Sequence, residues 1–95
     1  MKTRVHIILS GRVQGVFFRV ETRNQAIYRN ISGWVRNRSD GKVEAIFEGE
    51  KEDVDKIISF CKKGPQGAQV TNVEFHWEKY TGEFSGFKIK RTIYF

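Results

Sequence analysis

Apolar residues recur along this chain at two periods, and the order in which those periods alternate fixes most of what it can fold into. Val5, Ile7 and Leu9 repeat at period two, the mark of a strand with one buried face, and Gly11 stops the run. Phe18, Thr22 and Ala26 follow at spacing four, which places them on one side of a helix over about residues 18–29. Asn30 stands where the end of that helix needs left-handed backbone, and a second strand is expected over about Gly33–Asn37. Ser39-Asp40-Gly41 is a turn signal, and beyond it Val43, Ala45 and Phe47 alternate with Glu44, Ile46 and Glu48, so strands two and three make a hairpin. Val54, Ile57, Ile58 and Cys61 fall at helical spacing, with Glu50, Glu52 and Asp53 near the start and Lys62-Lys63 before the Gly64-Pro65 stop. Val73, Phe75 and Trp77, then Phe87, Ile89 and Ile93, return to alternation and give strand four and a terminal strand.

Strand, helix, strand, strand, helix, strand is the order of an α+β ferredoxin-like βαββαβ sandwich, with two helices on one face of a mainly antiparallel sheet. The 95 residues suffice for one core and one domain, 1–95. Such a fold fixes no function by itself.

Composition narrows the classes. Hydrophobic residues at 39% and eight Phe argue for a packed interior rather than disorder. Lys and Arg number 17 against 11 Asp and Glu, a formal charge of +6 that favours anionic partners without choosing between phosphates and nucleic acid. The single cysteine, Cys61, excludes an internal disulfide and is read as a small core residue. Ile7-Ile8-Leu9 is too short an apolar run for a signal-peptide core or a membrane span, so no membrane partner and a cytoplasmic location are expected.

Two segments carry chemistry. Gly11-Arg12-Val13-Gln14-Gly15-Val16-Phe17-Phe18-Arg19 joins a strand to a helix N-terminus, where free backbone N–H groups and the helix dipole attract an anion. Gly11 and Gly15 permit tight backbone, and Arg19 in the first helical turn offers a planar grip on two phosphate oxygens. Gly33-Trp34-Val35-Arg36-Asn37-Arg38-Ser39-Asp40-Gly41-Lys42-Val43 places an amide among basic residues at a strand end and hairpin loop. Each alone is also what an ordinary turn looks like.

Together they resemble the two signatures of the acylphosphatase family: Leu9 through Arg19 is similar to the first and Gly33 through Gly49 to the second. Gly64-Pro65 with Ala68-Gln69-Val70 also looks like the family, so the resemblance spans essentially the whole chain. It implies hydrolysis of an acyl phosphate to a carboxylate and inorganic phosphate, without metal or cofactor. It places the catalytic arginine on Arg19, the catalytic asparagine on Asn37, and the phosphate-binding backbone on Val13, Gln14, Gly15, Val16, Phe17, Phe18 and Arg19. A small-molecule acyl phosphate as substrate, phosphate or a similar anion as product and inhibitor, and a monomer are expected.

The implied chemistry suits these side chains. A leaving carboxylate has a conjugate acid of pKa about 4, so no general acid is needed. Asn37 is too weak a base to take a proton, but its carbonyl can orient a water. A cysteine-based phosphatase loop wants an Arg six residues after Cys61, where Gly67 stands, and His6 and His76 lack motif partners. The rival reading is an RNA-binding sheet, which wants exposed aromatics on a central strand; Lys42-Val43-Glu44-Ala45-Ile46-Phe47-Glu48 offers two acids instead, so nucleic acid is not the expected partner. A non-catalytic relative would have lost Arg19 or Asn37, and both are present.

Overall fold

The computed structural model describes residues 1–95 and forms strands β1 (Lys2–Arg12), β2 (Ser32–Asn37), β3 (Val43–Glu50), β4 (Gln69–Glu78) and β5 (Phe87–Ile89), with helices α1 (Phe18–Tyr28) and α2 (Lys51–Lys63). The sheet order is β4-β1-β3-β2-β5, antiparallel except for the last pair, β2 with β5. The expected sandwich is therefore present, and the terminal strand read from Phe87 and Ile89 is its fifth strand, parallel and at the edge. That strand stops at Ile89, two residues before Arg91, and Ile93 rejoins the edge only through an isolated bridge to Arg38.

The core lies between the sheet and the helices. Val5, Ile7 and Leu9 of β1 and Val43, Ala45 and Phe47 of β3 point into it and meet Phe18 and Ala26 of α1 and Val54, Ile57, Ile58 and Cys61 of α2. Phe18 packs at a tilt on Phe60, and Phe47 stacks on Phe87. Asn30 adopts φ 55, the left-handed conformation its place at the end of α1 called for. Trp77 and Phe75, read from the sequence as the alternating face of β4, stay 46% and 39% exposed on this edge strand; the two rings meet edge-to-face at 6.4 Å, and Lys51 and Lys62 of α2 lie over Trp77 and Phe75 respectively.

Residues Val43 through Gly49 of β3 are buried on both faces, whereas the sequence pattern reads as half-solvated. The strand is central, and its outer face is covered by charge pairing and by the loop after β4. Glu44 takes hydrogen bonds from His6 at 2.6 Å and from Arg36 at 2.9 Å. Glu48, fully buried, accepts from the Thr81 N–H, the Thr81 hydroxyl, the Gly82 N–H and Arg4 at 2.8–3.0 Å. Burial works against ionisation of both carboxyls, but these donors outweigh it and hold both below the ordinary range. Their contribution to stability is complete above the unfolded-state value of about 4.3 and is lost as pH falls from there through the lowered folded values. The thermal midpoint is expected to fall on acidification below about pH 4, less steeply in Glu44→Gln; a wild-type midpoint unchanged across that range would contradict this.

Gly33 marks the tightest point of the sheet. Its φ is +136°, and a Cβ there would sit 1.9 Å from the Ile46 carbonyl oxygen. Gly33→Ala is expected to cost about 3 kcal/mol in urea unfolding, because the clash is with backbone that cannot swing aside. An unchanged urea midpoint would show that β2 and β3 can part there.

Candidate active site

β1 ends at Arg12 and α1 begins at Phe18, so residues 13–17 turn the chain over the end of the sheet. Val13 and Phe18, 1% and 2% exposed, pin the two ends of the turn in the core. Between them Gly15 at φ 76 and Phe17 at φ 59 take left-handed backbone. For a phenylalanine that conformation costs on the order of 1 kcal/mol and persists only where its surroundings impose it. No backbone N–H from Val13 to Phe17 is taken up by another backbone group, and α1 has no side-chain N-cap. The loop thus leaves a row of donors open beside the positive end of a helix, which suits an anion.

Arg19 stands in the first turn of α1, half-buried, and enters none of the ion pairs of the molecule. Its charge is unneutralised at the mouth of the loop. Asn37 ends β2, paired with Val43, and its carbonyl accepts the Ile93 N–H at 3.1 Å. Its side-chain oxygen is buried with no hydrogen-bond partner. A buried acceptor left open costs about 1–3 kcal/mol, so it calls for a ligand or water donor.

These pieces line one cleft of about 210 Å³, formed by Val13, Gln14, Gly15, Phe17, Phe18, Arg19, Val20 and Asn37. Of the residues singled out in the sequence, Arg19, Asn37 and all of 13–18 except Val16 meet there. Val16 packs partly buried against the core. The side chain of Gln14 turns away to the β2–β3 hairpin, donating from Nε2 to the Arg38 and Lys42 carbonyls at 2.8 and 2.9 Å. Val20, 36% exposed on the rim, was not singled out; it follows the motif on the exposed side of α1 and carries no polar signal.

Cys61 is fully buried, and that burial pushes its thiol up to about 12. A thiolate nucleophile is not available there near neutral pH. Cys61 is expected to stay unmodified by Ellman's reagent until denaturant is added, and fast labelling of the native protein would contradict its placement. No group of three or more His, Cys, Asp or Glu side chains comes together to hold a metal ion. The opposite face of the sheet carries Glu44, Glu48, Glu74 and Glu78, and its Trp34 already has Arg36 and Lys90 within 4.5 and 4.8 Å of the ring centre. A stacking nucleobase would have to displace those cations from among carboxylates.

Fold and cleft define a small α+β domain with open backbone N–H groups at a strand-to-helix turn that share a cleft with an unpartnered carboxamide oxygen. The acylphosphatase family model matches residues 5–89. An acylphosphatase of Pelotomaculum thermopropionicum is 54% identical over 88 residues, covering 93% of this chain and 96% of that protein. One of Pyrobaculum aerophilum is 48% identical over 91 residues, covering 95% and 96%. The crystal structure of acylphosphatase from Bacillus subtilis superposes with a TM-score of 0.89 at 33% identity, over 95% of this chain and 99% of that one. This chain belongs to the acylphosphatase family, and it is an enzyme, a hydrolase of that family. No helix is long and apolar enough to cross a membrane.

Proposed function

We propose that this protein hydrolyses the carboxyl–phosphate bond of small acyl phosphates, with the open amides of residues 13–19 and the Arg19 guanidinium holding the phosphate and Asn37 orienting the attacking water. The observation that carries the reading is the unpartnered, buried side-chain oxygen of Asn37 in the same cleft as the open loop and the unpaired Arg19.

The water oxygen attacks phosphorus from the side of Asn37, its hydrogen bond to the amide oxygen fixing a lone pair in line. The bond from phosphorus to the acyl oxygen breaks, and the electron pair leaves with the carboxylate. Because that carboxylate is a weak base, with a conjugate acid of pKa about 4, it departs without a proton donor. The attacking water's proton ends on the phosphate product or in solvent. Charge spreads over the three equatorial oxygens in a loose transition state, where fixed N–H donors and the Arg19 fork meet it without reorganising.

Asn37→Ala tests the water-orienting role. The kcat for benzoyl phosphate is expected to fall about 10²- to 10³-fold while inorganic phosphate still inhibits at a similar concentration. A folded Asn37→Ala enzyme with near wild-type kcat would remove Asn37 from the mechanism.

A further inference from the structure

Cradle and water-orienting amide come from different parts of the chain, residues 13–19 and the end of β2, and in-line attack requires that they hold a fixed relation. The side-chain hydrogen bonds that tie the loop to the segment just beyond Asn37 are those of Gln14. Its Nε2 donates to the carbonyl oxygens of Arg38, at 2.8 Å, and Lys42, at 2.9 Å, bridging 24 and 28 residues of sequence. Both acceptors already close the hairpin: the Arg38 carbonyl takes the Gly41 N–H at 3.1 Å, and the Lys42 carbonyl takes the Arg38 N–H at 2.9 Å. Gln14 therefore plugs into the closing pair of the turn, one residue beyond Asn37.

We propose that Gln14 is a positioning residue, whose side-chain carboxamide locks the anion cradle to the 38–42 turn and so sets where the Asn37 amide stands relative to the phosphorus. The inference rests on the mechanism proposed above.

Chemistry separates this role from phosphate binding. A carboxamide nitrogen has two N–H donors, and both of Gln14's are given to hairpin carbonyls. What remains is a carbonyl oxygen, which can only accept and has nothing to offer an anion. Two carbonyl partners also fix which end of the amide is nitrogen. The side chain has to donate twice from one atom at this reach while staying neutral beside the cradle. Glu has no donor when ionised, Leu and Met have none at all, and Lys would add a competing charge.

Asn37 has its main chain held by β3 and by Ile93, but its side chain has no partner of its own. Releasing the Gln14 clamp leaves β2 intact and lets the cradle drift against it. A misplacement on the order of 1 Å can cost about 10²-fold in rate without weakening ground-state binding.

The test measures kcat and KM for benzoyl phosphate, and the competitive inhibition constant of inorganic phosphate, in the wild type, Gln14→Leu, Asn37→Ala and the double variant. Gln14→Leu is expected to lower kcat about 10- to 100-fold while the phosphate constant moves by no more than about threefold. In the Asn37→Ala background the same change is expected to cost little more, because the group it aligns is gone. If the losses multiply in the double variant, or the phosphate constant weakens in step with kcat, Gln14 serves the cradle and the proposal is overturned. Asn37→Ala at the wild-type rate would instead sink the underlying mechanism, and the proposal with it. Gln14→Met, which keeps the length and lacks the same donors, takes the place of Gln14→Leu should that variant not fold.

Discussion

In an Arg19→Ala variant, kcat/KM for benzoyl phosphate is expected to fall about 10³- to 10⁴-fold, corresponding to about 4–5.5 kcal/mol of transition-state stabilisation. The size follows from the absence of a substitute. Arg19 enters none of the ion pairs of the molecule and lines the cleft from the first turn of α1. Of the eight residues lining that cleft, it is the only one with a cationic side chain. Its removal leaves neutral amides to face the phosphate alone. Inhibition by inorganic phosphate should weaken as well, because in the proposed mechanism Arg19 would grip ground state and transition state alike, in contrast to the kcat effect expected at Asn37. Arg19→Lys should recover part of the loss, since it restores the charge but not the planar two-pronged donor. A folded Arg19→Ala protein within threefold or so of wild-type kcat/KM would show that the cradle alone holds the phosphate.

The second large effect is on stability. Glu48→Ala is expected to cost about 3–5 kcal/mol in denaturant unfolding, a large share of the roughly 5–15 kcal/mol that ordinary domains hold. Glu48 is wholly buried and gathers Arg4, the Thr81 amide and hydroxyl and the Gly82 amide onto one carboxylate, which fixes the loop after β4 over the centre of the sheet. Truncation strands those donors and leaves a void where the carboxylate stood. Arg4 keeps Glu78 at 2.7 Å and Glu83 at 3.0 Å, so its charge retains partners and the loss stays within that range. A shift below about 1 kcal/mol would mean that water replaces the carboxylate and that the loop over β3 is loosely held. The cleft lies at the β1–α1 turn and not beneath this loop, so at temperatures where the variant is folded its kcat should be near that of the wild type.

The sequence disclosed those parts whose signal is local. Periodicity located every strand and both helices, and Asn30 and Gly64-Pro65 marked where the helices end. Arg19 and Asn37 were legible because their neighbours form two ordered motifs. What escaped needed the sheet register. Glu44 and Glu48 read as the wet half of an alternating strand, yet both are buried, because β3 lies at the centre of five strands and Arg4, His6 and Arg36 come from its neighbours to meet them. Phe75 and Trp77 gave β4 by their alternation, but how far they are exposed depends on the strand's place at an edge, which the pattern does not carry. The direction of the Gln14 side chain could not be read either, since its partners lie 24 and 28 residues away on main-chain carbonyls that no side-chain identity announces. The C-terminal residues run beside the end of β2, where Ser39 donates its N–H to the Ile93 carbonyl and its hydroxyl accepts the Phe95 N–H.

The most direct measurement is the turnover of benzoyl phosphate by the wild-type protein in the presence of EDTA, set beside an alkyl phosphate ester whose leaving alkoxide is a far stronger base. Rapid, chelator-resistant hydrolysis of the acyl phosphate and none of the ester are expected, because in the proposed mechanism the cleft holds the phosphate and guides the water but supplies no acid for a basic leaving group. A folded protein that leaves benzoyl phosphate to its uncatalysed rate, or that cleaves both substrates alike, would contradict it.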